Sequence, residues 1–545
     1  MAREDGEDAP QYLPAKSLPF ELRQQCRIYF EEELYTQALN LLLNIISSGT
    51  VTSSPVFVPS PQHLALVATL IVHPSTTTRA KTTEHLQVAN SALQLLRITN
   101  KVVGPSSAEF GTAFTFTHLD SSRYGGRQRA ENHAQAATSA QDFDSEPLNI
   151  GIARAGSLWN RAEDFWHAVG WSFNCSVLHP KRWRRWQLWL QLMCEVLEDD
   201  WEERMRVASA GDVLETKHLK DSLIFRYIYG TGAYGSNRRI LRAIFADGGS
   251  VAVKQFGEVF RNELKELKKE NDQPKKREVD VNIEEDIYGD YMDRDEEDSD
   301  AVGGGADNLH PRPKRPRKSG TSTPGDIEAT PFDSQPPYDA SYLGGFESLA
   351  LRQRLLQLLS TVSASLQDDF IRIPDLYSLM IEFIRPLPIP TFQLFVTTST
   401  LPYFVPEAQA TLCETLLMRM LSNRVPTTQQ DSYLTQPKLE EHFLPYSANT
   451  TSVVDNAKVS ILLESLLESL AANDMLENTV ELRSAIEFGI TARGEKAQSA
   501  STKAQAGKSA PDEWAWLIES GERMMHRVEK LSPLDDSGEP FNPGE

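Results

Sequence analysis

Three places in this chain carry residue types at spacings that chemistry uses. The first is Gly230-Thr231-Gly232-Ala233-Tyr234-Gly235, a G-x-G-x-x-G run. Between a strand and a helix, such glycines let backbone N–H groups reach a pyrophosphate at the helix N-terminus. An apolar run, Leu223 to Tyr229, precedes it, and a helix is expected from Ser236. The wider context fails. Between Gly235 and Asp247 there is room for a short helix but not for a helix plus a second parallel strand. No alternating strand–helix series surrounds the run. It is read as a glycine-rich turn between helices, and a nucleotide-binding enzyme using Gly230–Gly235 is kept as the competing reading. The cysteines Cys26, Cys175, Cys194 and Cys413 show no CxxC spacing, and the 11 His form no H-x-x-x-H pair. No metal site, cofactor or local nucleophile signature follows from them, so the chain is read as non-enzymatic.

The second place is the basic run Arg312, Lys314, Arg315, Arg317 and Lys318, interleaved with Pro313 and Pro316. Proline holds such a run extended, which suits capture in the groove of a nuclear import receptor. It resembles the short basic class of nuclear localisation signal, and Lys275-Lys276-Arg277 offers a second basic cluster upstream. Thr323-Pro324 and Thr330-Pro331 are sites where proline-directed phosphorylation would add charge. Upstream, twelve acidic residues lie within Glu278–Asp300, dotted with Ile287, Tyr288, Tyr291 and Met292. Its part Asn282–Asp300 reads as a solvating spacer, a ligand for a basic partner, or a segment folding back on a basic surface of this chain.

The third place is Lys181-Arg182-Trp183-Arg184-Arg185-Trp186. These residues open a helix whose far end carries Glu195, Glu198, Asp199, Asp200, Glu202 and Glu203. That charge order opposes the helix dipole, so something must compensate it. Basic–aromatic interleaving is also how single-stranded nucleic acid is bound. Here the Trp spacing matches a buried stripe instead. Trp159, Trp166, Trp183, Trp186 and Trp189 are therefore assigned to the core, and Lys181, Arg182, Arg184 and Arg185 to a surface for an acidic partner.

Stepping from these residues to their carriers, the periodicity is helical almost throughout. Leu22, Cys26, Tyr29, Ala38, Leu42 and Ile45 mark two helices around Glu31-Glu32-Glu33. The run Tyr29–Ala38 resembles one tetratricopeptide hairpin, with Tyr29, Tyr35 and Ala38 where that repeat packs its helices; no second copy appears at that period. Helices are expected at His63–Val72 and at Thr83–Val103, the latter with an apolar stripe Leu86, Ala89, Leu93 and Leu96. Trp159, Ala162, Trp166, Val169 and Phe173 predict one helix, antiparallel to a second that begins after His179-Pro180. Amphipathic segments follow at Asp221–Tyr229, Ser236–Ala246 and Val251–Lys269. Later come Phe346–Leu359, Leu376–Phe383, Ala408–Leu421, Ala457–Leu470 and a last helix with Trp514, Trp516, Leu517 and Met524. Phe392–Thr397 is the one strand-like run.

The fold class expected is all-α, a helical-repeat-like solenoid or irregular bundle interrupted by a long disordered charged linker. The boundaries are a disordered 1–14, an N-terminal block 15–118, a flexible insertion 119–148 and a Trp-rich block 149–270. Then come the linker 271–345, a C-terminal block 346–490, a flexible 491–511, a helix 512–530 and a disordered tail 531–545. With 545 residues, a net charge of −21 and 4 Cys, the composition excludes a disulfide scaffold and a wholly low-complexity chain. The absence of a long uncharged apolar run argues against a membrane span. The functional expectation is a nuclear scaffold or adaptor subunit for a chromatin, transcription or genome-maintenance complex. Its partners would be protein subunits and an import receptor, with any nucleic acid contact indirect. A nuclear RNA-processing or ribosome-assembly factor is the alternative.

Overall fold

The computed structural model describes residues 12–51, 55–117, 148–209, 216–230, 236–265, 340–397, 405–421, 434–501 and 511–531. Over these the chain is all-α, as its periodicity predicts. The expected insertion, the charged linker and the C-terminal tail lie almost wholly outside the described residues. So do the acidic stretch Glu278–Asp300 and the basic run Arg312–Lys318.

The N-terminal part holds β1 (Ala15–Ser17), α1 (Phe20–Glu31), α2 (Tyr35–Val51), β2 (Val56–Val58), α3 (Pro61–Val72), α4 (Thr83–Ser107) and α5 (Phe110–Ala113). The hairpin α1–α2 forms at the expected place, with Cys26, Phe30, Tyr35 and Ala38 buried between its helices. Glu33 turns the corner at φ 57°. This hairpin bridges two parallel three-residue strands, Ala15 facing Val56 and Ser17 facing Val58. Strands so short have no readable alternation, so nothing in the sequence announces them. Helix α4 buries Val88, Ala89, Ala92, Leu95, Leu96, Thr99 and Val103. The expected stripe is therefore rotated: Leu86 is exposed and Leu93 half-buried.

The central part contains α6 (Leu158–Arg161), α7 (Phe165–Leu178), α8 (Pro180–Ala208), α9 (Thr216–Lys220), α10 (Leu223–Tyr229), α11 (Ser236–Ile244) and α12 (Ser250–Gln255). The single helix expected from Trp159 to Phe173 is broken at Ala162–Asp164. Ala162 is extended, and the Asp164 carboxylate accepts the His167 N–H at 2.7 Å, starting a new helix. A short acidic side chain competes with the helical ladder and is better placed as a cap than in mid-helix. Helix α7 is buried on nearly every side, between α8, α11 and α12. The segment Val251–Lys269 is not one helix. The chain leaves helical geometry at Phe256, whose ring lies where a Cβ on Gly170 would sit, 2.4 Å from its Cγ.

The C-terminal part comprises α13 (Phe346–Ser365), α14 (Ile373–Ile384), α15 (Ile389–Val396), α16 (Pro406–Met420), α17 (Gln436–His442), α18 (Val453–Ala472), α19 (Val480–Ser501) and α20 (Pro511–Glu529). The strand-like run Phe392–Thr397 is helical in α15, which Pro390 opens in the first turn where its missing N–H costs nothing. Helix α19 continues to Ser501, through the first half of the stretch 491–511 expected to be flexible. Its inward positions there are Arg493 and Ala497, both fully buried, so a polar-looking sequence hides a packed face.

Helix α8, 29 residues and about 43 Å long, is the spine of the first two parts. It packs on α3, α4, α7, α9 and α10 on one side of the sequence and on α13 after the linker. Helix α18 plays the same role later, against α15, α16, α19 and α20. A solenoid touches only sequence neighbours; contacts this distant make an irregular bundle. The described residues within 1–266 and 337–545 fall into one compact unit. Phe245 stacks on Phe383 at 5.4 Å and meets Phe395 at 5.6 Å across the join.

Candidate interaction surface

The first turn of α8 sorts its four cations by helical position. Arg182 and Trp186 are four residues apart and share the inward face with Trp183 and Trp189, while Lys181 and Arg184 point to solvent. Arg182 is 2% exposed. Its Nε donates to Glu263 Oε1 at 2.7 Å, Nη1 to Thr77 Oγ1 at 2.8 Å, and Nη2 to the Val72 carbonyl at 2.7 Å and to Glu263. Glu263 is itself buried, and it also accepts Trp186 Nε1 at 2.7 Å and the Phe260 N–H at 3.1 Å. Arg182 therefore belongs to the interior and not to the partner surface expected from its sequence neighbours. Arg185 is half-buried, its Nη1 donating to Asn90 Oδ1 at 2.7 Å. Burial, with Arg182 nearby, pushes its guanidinium below the ordinary range.

At the other end of α8, four of the six acids, Glu195, Glu198, Asp199 and Asp200, are matched within the protein. Arg97 grips Glu195 through two bonds of 3.1 and 2.9 Å, and Arg354 of α13 grips Glu198 through two of 2.5 Å. Asp199 accepts from Asn100, and Asp200 accepts the Leu223 N–H and Arg204 Nε, at 2.7 and 2.9 Å. The unfavourable charge order along α8 is thus offset by partners from α4, α10 and α13. Paired two-point contacts of this kind are the stronger class of charged hydrogen bond.

The five Trp assigned to the core are all buried. Three of them also place their indole N–H: Trp159 on the Ala65 carbonyl at 2.9 Å, Trp166 on the Tyr227 carbonyl at 3.0 Å, and Trp186 on Glu263. Trp186 and Trp189 meet edge to face at 5.5 Å. None presents a face for stacking a base.

Residues 231–235 of the glycine run lie outside the described residues. The apolar run before them is helix α10, with Gly230 as its C-cap, so the strand that a dinucleotide fingerprint requires is not there. Burial drives the thiols of Cys26, Cys194 and Cys413 up, to about 11, 12 and 12, and raises Cys175 as well. An activated cysteine nucleophile needs the opposite shift. Among the described residues no three His, Cys, Asp or Glu side chains converge as metal ligands. No described helix is long and apolar enough to cross a membrane.

Two residues central to this architecture escape the sequence reading. Glu263 sits in a run that resembles the exposed face of an amphipathic helix. Arg352 sits among leucines with no acid nearby, yet it is fully buried: it donates to the carbonyls of Ile244, Ala246 and Leu343, with its guanidinium 4.0 Å from the Phe173 ring. A mid-helix Arg between apolar neighbours is the only local sign. Neither a protein-family model nor a curated protein matches this chain.

Proposed function

We propose that the chain is a non-enzymatic nuclear scaffold or adaptor subunit, mediating protein–protein contacts in a chromatin, transcription or genome-maintenance complex. The observation that carries this reading is the compact basic run, five Lys or Arg within Arg312–Lys318, in a chain of net charge −21. A run of that density, spaced by proline, has the chemistry an import receptor's acidic groove recognises. The all-α body supports the scaffold half, because paired helices offer extended faces and grooves to partner proteins.

The test is twofold. A fluorescent fusion of the full chain is expected in the nucleus. Replacing Arg312, Lys314, Arg315, Arg317 and Lys318 by Ala should return it to the cytoplasm. Affinity purification from nuclei should then recover stoichiometric protein subunits that survive nuclease treatment. A fusion excluded from nuclei sinks the compartment. Recovery of RNA with a steep salt dependence and no protein partner favours the RNA-processing alternative instead.

A further inference from the structure

A cavity of about 570 Å³ opens where the C-terminus of α14, the C-terminus of α16 and the first turns of α18 meet. Ser378, Ile381, Glu382, Arg385, Pro386, Arg419, Asp455 and Lys458 line it. Three cations therefore share one concave site with two carboxylates, and the carboxylates are already engaged. Both Glu382 oxygens accept from Arg238 Nη2, at 2.8 and 2.7 Å. Asp455 Oδ2 accepts Thr450 Oγ1 at 2.6 Å and lies 3.9 Å from Arg385 Nη2.

The cations are much less engaged. Among the described residues the Arg419 guanidinium makes no hydrogen bond, and that of Arg385 has only the long contact to Asp455. Lys458 is 3% exposed. It donates to the Arg385 carbonyl at 2.6 Å and lies 5.3 Å from the Phe392 ring, which leaves two of its three N–H groups over. Burying an ammonium with most of its donors unused is costly. Desolvation depresses its basicity, and Arg385 adds to that effect against Asp455. An arriving anion would remove that cost.

We propose that this cavity binds the phosphoryl group of a phosphoserine or phosphothreonine on a partner polypeptide. Two planar guanidinium forks and one ammonium match the oxygens and the double charge of a phosphate monoester better than a single carboxylate. The volume lies within the range of ligand pockets and leaves space for the flanking backbone. Ile381 and Pro386 supply an apolar wall for a neighbouring side chain. The site adds a ligand class to the interaction reading and does not depend on the nuclear compartment.

The experiment is calorimetric titration of the full chain with N-acetyl-phosphoserine amide, N-acetyl-serine amide, N-acetyl-glutamate amide and inorganic phosphate, at two salt concentrations. The phosphoserine probe is expected to bind, more weakly at the higher salt, with the serine probe silent and the glutamate probe at least tenfold weaker. Arg419→Gln and Arg385→Gln, both at accessible positions, should each weaken it about tenfold or more while leaving the urea midpoint unchanged. Lys458→Met serves as a third variant, read only if its midpoint is retained. No binding at millimolar probe, or equal binding by both Arg variants, overturns the proposal. Inorganic phosphate binding tighter than the phosphoserine probe overturns the peptide part of it.

Discussion

Among the described residues three arginines are buried past 97%, and each solves the same problem differently. Arg182 has a carboxylate, Glu263. Arg352 has three carbonyls and an aromatic face. Arg493 has two carbonyls, those of Leu444 and Tyr446, at 3.0 and 3.3 Å, with Nε and Nη2 left without partners. Guanidinium keeps its proton where an ammonium would lose it, so the fold must supply acceptors rather than neutralise the charge. The carboxylate solution is the most brittle. Glu263→Ala should cost about 3–5 kcal/mol, because it strands the Arg182 guanidinium and leaves the Trp186 N–H unpaired. Adding Arg182→Met should recover most of that loss, since a buried pair can be replaced by apolar side chains of similar volume. Urea midpoints of the two single variants and the double variant test this, and a double variant as unstable as Glu263→Ala contradicts it. A second residue-scale effect is a pH dependence. Burial, reinforced by Arg182, Arg161 and Arg79, lowers His73 to about 4, and its Nδ1 accepts the Ser75 N–H at 3.3 Å. The unfolded chain takes up a proton near pH 6.5, which the folded chain refuses until about pH 4. The contribution is therefore complete above pH 6.5 and is lost as pH falls toward 4. It should amount to about 3 kcal/mol over that whole interval. His73→Gln should flatten the fall in urea midpoint between pH 7 and 4.5.

At the scale of elements, the sequence is legible where a segment has one wet and one dry face, and illegible where that division breaks down. The hairpin α1–α2, the long α8 and the Trp of its inward face follow directly from i, i+3, i+4 spacing. Helix α7 is buried on both sides, so its Trp and Phe residues give period without phase. The break at Ala162–Asp164 is written only in the capping habit of Asp. Helix α19 fails for the reverse reason: Arg493 reads as a wet residue and is dry. The partner surface expected on α8 failed at Arg182 for the same cause: within one helical turn, Lys181 and Arg184 face solvent while Arg182, a single residue from Lys181, faces the interior. The cations of the α14–α16–α18 cavity, Arg385, Arg419 and Lys458, come from three separate helices, and no local pattern links them. Packing at α7 also leads to a prediction. Any Cβ at position 170 meets Phe256 Cγ at 2.4 Å. Gly170→Ala gains helix propensity in isolation, yet here it should destabilise by about 1–3 kcal/mol through overpacking. Phe256→Leu in the same chain should relieve part of that cost, where Phe256→Leu alone is destabilising. Opposite signs for one substitution in two backgrounds distinguish a clash from a general weakening of α7.

For the whole molecule, the question is what holds 337–545 to 1–266 when the intervening peptide is not counted. Among the described residues, three kinds of contact across that join stand out, beside smaller ones such as Ser348 Oγ donating to Ser176 Oγ at 3.2 Å and the Lys220–Asp369 pair at 2.8 Å. Phe245 sits against Phe383 and Phe395. Arg354 clasps Glu198, and Arg238 clasps Glu382. Arg352 reaches from α13 to close the C-terminus of α11 through the carbonyls of Ile244 and Ala246. The exposed Arg238–Glu382 pair contributes little, since solvent screens it. The aromatic cluster and the buried Arg352 contribute most, because removing either leaves apolar area uncovered or three carbonyls and the Ser348 hydroxyl, 3.3 Å from Arg352 Nε, without their donor. If these contacts suffice, covalent continuity is dispensable. A protease site inserted after Gly305 and cut in the folded protein should leave two fragments that co-elute as one species of unchanged hydrodynamic radius. Their single urea transition should then depend on protein concentration, as an association does. Arg352→Met should lower the concentration-independent stability of the uncut chain by a few kcal/mol. After cutting, the same substitution should shift the two fragments toward separate elution, whereas Arg238→Gln should leave the cut complex intact. Fragments of the parent chain that part on cutting would place the hold in the connecting peptide rather than in Arg352 and its aromatic neighbours.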